Sequence, residues 1–354
     1  MKKCVGTLLQ QPLLKKEGGA LMLVDGTFQQ KSCQEGNIIA LPLEEAFSSY
    51  GSLLQCVEKT EAKNGLFLYV PPKVCLEEPL EIEHLVTHNG QFFPKIFVFA
   101  GNESRFSILL KASFPQHGSF LYHSSCELHL GDASHVSLSE DFSALSKQNK
   151  GAFFDTIHVR QQAGSHFSFF GLSCATGEFR SRLHIELAGA GAEAALKGFF
   201  AASRHGKSYL ETEVVHSAPS TKSSQYFKEI VSDRALHSFL GKIRITKEGA
   251  NSEASQINRS LILHDGARAI AKPILEILSD AKASHGATTN YLYGEELFYL
   301  MCRGLSEKEA QRLVIQGFCE EMFQGEERKE LKKSLFSCFF KPLMANVRNK
   351  RLKR

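Results

Sequence analysis

The stretch "DAKASHGATTN", residues 280–290, sets one imidazole, His285, in a run of small residues. Neutral imidazole is a good ligand for iron and can replace cysteine on a cluster iron. Small neighbours would let a second surface approach that ring closely. On these residues alone, a structural role for His285 stands beside the ligand role. Other candidate motifs are weaker. "AASRHGKS" (201–208) matches a loose phosphate-loop pattern, but the following "YLETEVVHSAP" alternates like a strand and supplies no helix N-terminus for a phosphate. That stretch reads as a solvated turn. "GLSCA" (171–175) lacks the final glycine and the strand-to-helix turn of a nucleophile elbow. In "HSSCELH", His123 and His129 would share one face of a strand but lie roughly 20 Å apart, with Cys126 on the other face, so they cannot chelate one ion.

His285 lies where two textures meet. Upstream, from about 76 to 289, short alternating runs dominate: "IEHLVTH", "KIFVFAG", "FSILLKAS", "CELHLG", "TIHVRQ", "LHIELAG", "KIRITKEG" and "SLILHDG". Turns with a small residue separate them. Aligning Ser104, Ser134, Ser165, Ala192, Ala235, Ala250 and Ala267 gives gaps of 30, 31, 27, 43, 15 and 17, near multiples of 15. A wound strand solenoid produces such a loose repeat, because each coil puts a tight corner in register with the last. A β-sandwich is the alternative, but "NG" and "DG" hairpin turns are few.

Residues 1–75 read as a mixed region. It holds a strand–turn–strand around Asp25-Gly26, helix in "PLEEAFSSYGSLLQCVEK" and a strand in "GLFLYVPP". Residues 290–354 read as helical. Glu295 to Arg303 closes at Gly304. Ser306 and Glu309 form a capping box ahead of an apolar stripe of Ala310, Leu313, Val314, Gly317 and Phe318. A last helix, "EERKELKKSLFSCFF", carries Leu331, Leu335, Cys338 and Phe339 between Gly325 and Pro342. Mutual packing accounts for these stripes, and a partner surface is the second option.

The net charge of +4 is uneven: residues 301–354 hold 13 Lys/Arg against 7 Asp/Glu, ending in "RNKRLKR". Basic charge confined to a tail, without interleaved aromatics, argues against nucleic acid. The nine cysteines are scattered, odd in number and never form CxxC, which speaks against a disulfide framework or a closed zinc site and fits free thiols in a reducing cytoplasm. No apolar window is long enough for a membrane span. The N-terminus lacks the apolar core of a signal peptide. A polysaccharide-binding or -cleaving solenoid, the alternative function, would need clustered carboxylates or a regular Asp series, and no such series is visible.

The string "PILEILSDAKASHGATTNYLYGEELFYLMCRGLSEKEAQRLVIQGF" (273–318) strongly resembles the C-terminal signature of the SufB/SufD family, scaffold subunits of the Suf iron–sulfur cluster assembly machine. Pro273, Leu275, Glu276, Ile277, the Ser284–Thr288 run, Leu297, Phe298, Tyr299, Leu300, Arg303 and Gly304 match its pattern. Weaker similarity extends through "FLGKIRI" (239–245) and "GLFLYVPPKVCLEEPLEI" (65–82). The resemblance implies a right-handed parallel β-helix between an N-terminal region and a C-terminal helical domain. It implies a non-catalytic subunit that pairs with a SufB-like paralogue. An ABC-type ATPase, SufC-like, would dock on the helices after residue 290, through Leu297, Phe298, Leu300, Arg303, Gly304 and Phe318, and would hydrolyse the ATP. His285 would ligate a transient cluster shared with the paralogue, or a homodimer would form in the paralogue's absence. Ala283 stands where many relatives carry cysteine, which with the short N-terminus favours the SufD branch and removes a thiolate from this subunit. Cys302 reads as packing on its helix. No Rossmann-type glycine fingerprint supports a flavin site.

Overall fold

The computed structural model of the chain describes residues 21–29, 38–51, 54, 64–114, 119–146, 151–323 and 329–340. The basic tail, Gly325, Pro342, the extreme N-terminus and Cys4, Cys33 and Cys56 lie outside the described residues.

The elements run β1 (Leu21–Val24), β2 (Thr27–Gln29), β3 (Ile39–Pro42), α1 (Leu43–Ser49), β4 (Gly65–Val70), β5 (Leu80–Leu85), β6 (Gly90–Phe92) and β7 (Lys95–Ala100). They continue through β8 (Arg105–Ser113), β9 (Phe120–Leu130), β10 (His135–Phe142), β11 (Ala152–Gln161), β12 (His166–Ala175), β13 (Glu178–Leu187), β14 (Glu193–Ala202) and β15 (Lys207–His216). The last strands are β16 (Lys222–Val231), β17 (Leu236–Ile245), β18 (Glu253–Ile262), β19 (Arg268–Ile277) and β20 (Lys282–Tyr291). Helices α2 (Glu295–Cys302), α3 (Glu307–Glu320) and α4 (Lys329–Leu335) follow, and α4 passes into a π-helical turn, Phe336–Phe340.

From β7 onward, successive strands alternate between two sheets. One runs β2-β1-β5-β8-β10-β12-β14-β16-β18-β20; the other runs β19-β17-β15-β13-β11-β9-β7-β4-β3, with β6 also on β9. Apart from β1–β2 and β3–β4, every strand pairing is parallel. The chain is therefore a mainly β parallel solenoid with C-terminal helices, and the sandwich alternative falls. All eight quoted alternating runs lie on strands.

Period-two patterning creates the lumen. Along β9, every even-numbered residue from Phe120 to Leu130 is buried and every odd one is partly exposed. Large aromatics fill the lumen in a stacked column, with ring centroids 5.5 Å apart for Tyr122–Phe153, 6.1 Å for Phe153–Phe179, 6.2 Å for Phe179–Phe200 and 5.5 Å for Phe227–Phe239.

The corners explain the spacing of 15. Each coil has two, one after each strand. One set turns through a left-handed residue: Glu103, Ala133, Gly164, Gly191, Ser220 and Asn251, spaced 30, 31, 27, 29 and 31 apart. The next residue tucks inward and is buried: Ser104, Ser134, Ser165, Ala192, Thr221 and Ser252. The corner expected at Ala250 thus falls at Ser252. The 43-residue gap is filled by Gly206 and Thr221, a glycine and a β-branched residue that a search for serine and alanine passes over. Backbone hydrogen bonds run from coil to coil through the corners, as from Glu103 N to Asp132 O (2.8 Å) and from Ala133 N to Ala163 O (2.8 Å).

The helices lie on the outer face of the even-numbered sheet. Phe170, Leu172, Cys174, Phe199, Ala201, Ile230 and Leu261 point outward from β12, β14, β16 and β18, and Ile315, Cys319, Met322, Phe323, Leu331, Leu335 and Phe339 cover them. The capping box at Ser306 and Glu309 forms as expected. The buried face of α3 is Ala310, Gln311, Ile315 and Cys319, rotated from the expected stripe, and Leu313 is left exposed. Ile315, Cys319 and Met322 meet the sheet together, which turns Leu313 and Gly317 to the outside.

Candidate interface at the open end of the solenoid

His285 sits on β20, the terminal strand of its sheet. It stands across from Gln256, in a ladder that also pairs Ala254 with Ala283, Asn258 with Ala287 and Ser260 with Thr289. Since Gln256 is buried in the lumen, this register turns His285 toward the lumen too, on the last rung. No further rung covers it among the described residues, and His285 is exposed.

The whole end shares this character. Among the described residues β20 pairs only with β18, and β19 only with β17, so each offers one unpaired edge. An open edge of backbone donors and acceptors is a template for another strand. Its side chains are also apolar for an end in water: Ile270, Ile274, Ile277, Leu278, Tyr291 and Tyr293 are all exposed. Along β18 alternate residues are buried, whereas β19 and β20, one rung further out, have no buried residue.

A second apolar surface adjoins it on the helices. Phe298 is 69% exposed, Tyr299 56% and Leu313 52%. Arg303 lies over the Tyr299 ring, 4.9 Å from its centroid, and Gly304 closes α2 with φ +93°. Of the residues suggested as a docking surface, Phe298, Arg303 and Gly304 are exposed and Leu300 is half-buried. Leu297 is buried, and Phe318 packs toward the solenoid against Phe199 and Lys228. Cys302, expected to pack on its helix, is exposed. Tyr299, Met301 and Leu313 join the surface. Leu313 was hidden to sequence reasoning because it fits the i, i+3, i+4 pattern of a buried stripe as well as Ile315 does.

Among the described residues, no three His, Cys, Asp or Glu side chains converge to hold a metal. The remaining candidates resolve as turns and strands. Residues 203–206 of the loose phosphate-loop pattern join β14 to β15, two strands, with no helix following. "GLSCA" lies wholly on β12. His123 bonds Thr156 across the ladder (3.1 Å), His129 pairs with Glu127 (3.0 Å), and Cys126 points into the core.

The even-numbered sheet carries a groove of about 1010 Å³ along the starts of its strands, floored by Ser107, Ser137, Ser168, Ser224, Ser255 and Ser284. Its carboxylates are not clustered. Glu193 pairs with His166 and Lys222, and Glu253 with Lys282.

Fold and site together define a parallel β-solenoid protein whose last coil, among the described residues, is uncapped and edged by exposed apolar side chains. Comparison with known proteins makes the assignment narrower. The profile described as "SUF system FeS cluster assembly, SufBD core domain" matches residues 84–318, and the chain belongs to that family. It is 26% identical over 318 residues to the iron–sulfur cluster assembly protein SufD of Plasmodium falciparum, covering 86% of this chain and 20% of the relative. It is 23% identical over 320 residues to an iron–sulfur cluster assembly SufBD family protein of Porphyra purpurea, covering 83% and 65%. It is 32% identical over 127 residues to SufD of Escherichia coli, covering 36% and 30%. The matches thus span from a fifth to about two thirds of the length of these relatives. No helix among the described residues is long and apolar enough to cross a membrane.

Proposed function

We propose that this chain is a SufD-like, non-catalytic scaffold subunit of iron–sulfur cluster assembly that pairs through its open solenoid end with a SufB-like paralogue. The observation that carries the proposal is the uncapped last coil, with free edges on β19 and β20 and His285 at its mouth. Strand addition would satisfy the exposed backbone, and a partner would bury Ile277, Leu278, Tyr291 and Tyr293. His285 would then supply one imidazole to an iron of a transient cluster, and the partner the thiolates, since Ala283 removes the nearest thiol here. A SufC-like ATPase would dock on Phe298, Tyr299, Leu300, Arg303 and Leu313, and the ATP chemistry would be its own. A homodimer through the same end would form when the paralogue is absent. Flavin is not part of the proposal, and the working compartment is cytoplasmic.

Co-expression with the SufB-like and SufC-like proteins of the same genome, followed by the mass of the purified complex, tests this reading. One copy of this chain with one paralogue and two ATPases is expected, and His285→Ala should retain that mass while losing cluster loading. A lone monomer beside folded partners would overturn it.

A further inference from the structure

Beneath the mouth, one rung in, the lumen changes character. Glu229 on β16 is buried, and so are His237 on β17 and Asn258 and Ser260 on β18. Glu229 accepts hydrogen bonds from Asn258 Nδ2 and from Ser260 Oγ (2.8 Å). His237 Nδ1 bonds Ser208 Oγ at 3.1 Å. Two atoms are left with no hydrogen-bond partner: His237 Nε2 and Asn258 Oδ1. In the tautomer with its hydrogen on Nδ1, shared with Ser208 Oγ, Nε2 turns a lone pair to Glu229 Oε1, 3.6 Å away. That is too long for a proton bridge. It is a natural separation for two ligands of one ion, because bonds of about 2.1 Å meeting at roughly 120° span it.

We propose that Glu229, His237 and Asn258, with Ser260 beside them, form a binding site inside the lumen for one divalent first-row cation, of the Fe²⁺, Co²⁺ or Zn²⁺ class.

The donor set is one imidazole nitrogen, one carboxylate and neutral oxygens, which suits borderline ions rather than calcium or copper(I). Ser208 Oγ holds Nδ1 at 3.1 Å and so orients the ring, as an outer partner does for a metal-bound histidine. Access is through small residues. The rung between the site and solvent presents Ala287 across from Asn258, Thr289 across from Ser260 and Ala269 across from His237. The other titratable groups on the inward rows of the packed strands are His216, His285 and Tyr291. Burial pushes the Glu229 carboxyl up to about 8, against its hydrogen bonds from Ser260 and Asn258. Burial also pushes His237 down to about 3. The site belongs to the isolated chain and does not depend on which partner covers the end.

The test uses the full chain, freed of metal with a chelator and titrated with Co²⁺ by equilibrium dialysis and visible absorption. One Co²⁺ per chain is expected. His237→Gln and Glu229→Gln should each weaken binding by about tenfold or more, and His205→Ala, at an exposed corner, should leave it unchanged. Wild-type binding matched by both folded variants, or lost in His205→Ala alone, overturns the proposal. If both lumen variants fail to fold, wild-type melting decides: bound Co²⁺ should raise the melting temperature, and no uptake, or uptake without a rise, overturns it.

Discussion

Lys228, outward on β16 with its side chain 1% exposed, is ion-paired with Glu321 at the end of α3. The ammonium also donates to the Phe318 carbonyl (3.0 Å) and lies 4.4 Å from the Phe318 ring centroid. Tyr226 donates to the same carboxylate (2.6 Å), and Arg259 lies 3.6 Å from it. Three groups of the solenoid thus meet one residue of the helical layer. Glu321→Ala would leave a buried ammonium short of a partner, at a cost of about 1–3 kcal/mol. The expected readouts are a lower melting temperature and faster hydrogen exchange across 307–340, with the lumen strands unchanged.

The aromatic column should be the least tolerant part of the core. Phe153 contacts the rings of Tyr122, Phe142 and Phe179 at 5.5, 4.6 and 6.1 Å. Phe153→Ala should cost about 3–5 kcal/mol, because stacked coils cannot collapse onto the hole. A denaturant midpoint that moves by less than half of this would show that the coils do relax.

Stability should depend on pH in both directions. In the lumen Glu140 and Asp155 lie side by side; burial and their mutual proximity push Glu140 well up, and burial pushes Asp155 up to about 7. Folded Asp155 therefore holds a proton that the unfolded chain releases above 3.8. The stability it contributes is complete below that value and lost as pH rises through about 7. His84 and His216 are pushed down to about 4 by burial, so their contribution is present above 6.5 and lost as pH falls toward 4. Asp155→Asn should remove the fall on the rising-pH side alone, measured as urea midpoints between about pH 4 and about pH 7.

Backbone direction at the mouth allows a test of strand addition. The amides of Lys282 and Leu292 point to β18. Alternation therefore turns the Ala287 amide to the free edge. Ala287→Pro removes one edge donor and leaves the β18 ladder intact. Under the proposed pairing it should weaken association with the SufB-like chain by about tenfold or more while the melting temperature holds. Unchanged association in a pull-down titration would mean that β20 is not extended by the partner.

The exposed helical face can be tested separately. Phe298→Asp and Leu313→Asp alter residues that are 69% and 52% exposed, so each should change stability by less than about 0.5 kcal/mol. Each should weaken binding of the SufC-like ATPase, read by co-purification, without affecting pairing at the open end.

Much of this molecule is local and legible. Alternation along "CELHLG" and "TIHVRQ" specifies strands, because period two sorts side chains between lumen and solvent wherever those strands lie. The small residues at 104, 134 and 165 mark corners, because stacked coils leave no room for larger ones there. The capping box at Ser306 needs only four residues. The choice among faces and neighbours is not local. Ile315 and Leu313 are equivalent by pattern, and only contact with Phe199 and Ile230 decides which is buried. "KPILEIL" and "SLILHDG" look alike as strands, yet one is an exposed terminal rung and the other has a neighbour on each side. Glu229 and His237 lie on different sheets, and their approach follows from how the coils stack. Strand character was settled by the sequence, since it depends on the order of side chains along a few residues. The open end, the buried face of α3 and the polar lumen were settled by the tertiary structure, since each depends on which distant residues occupy the adjoining space.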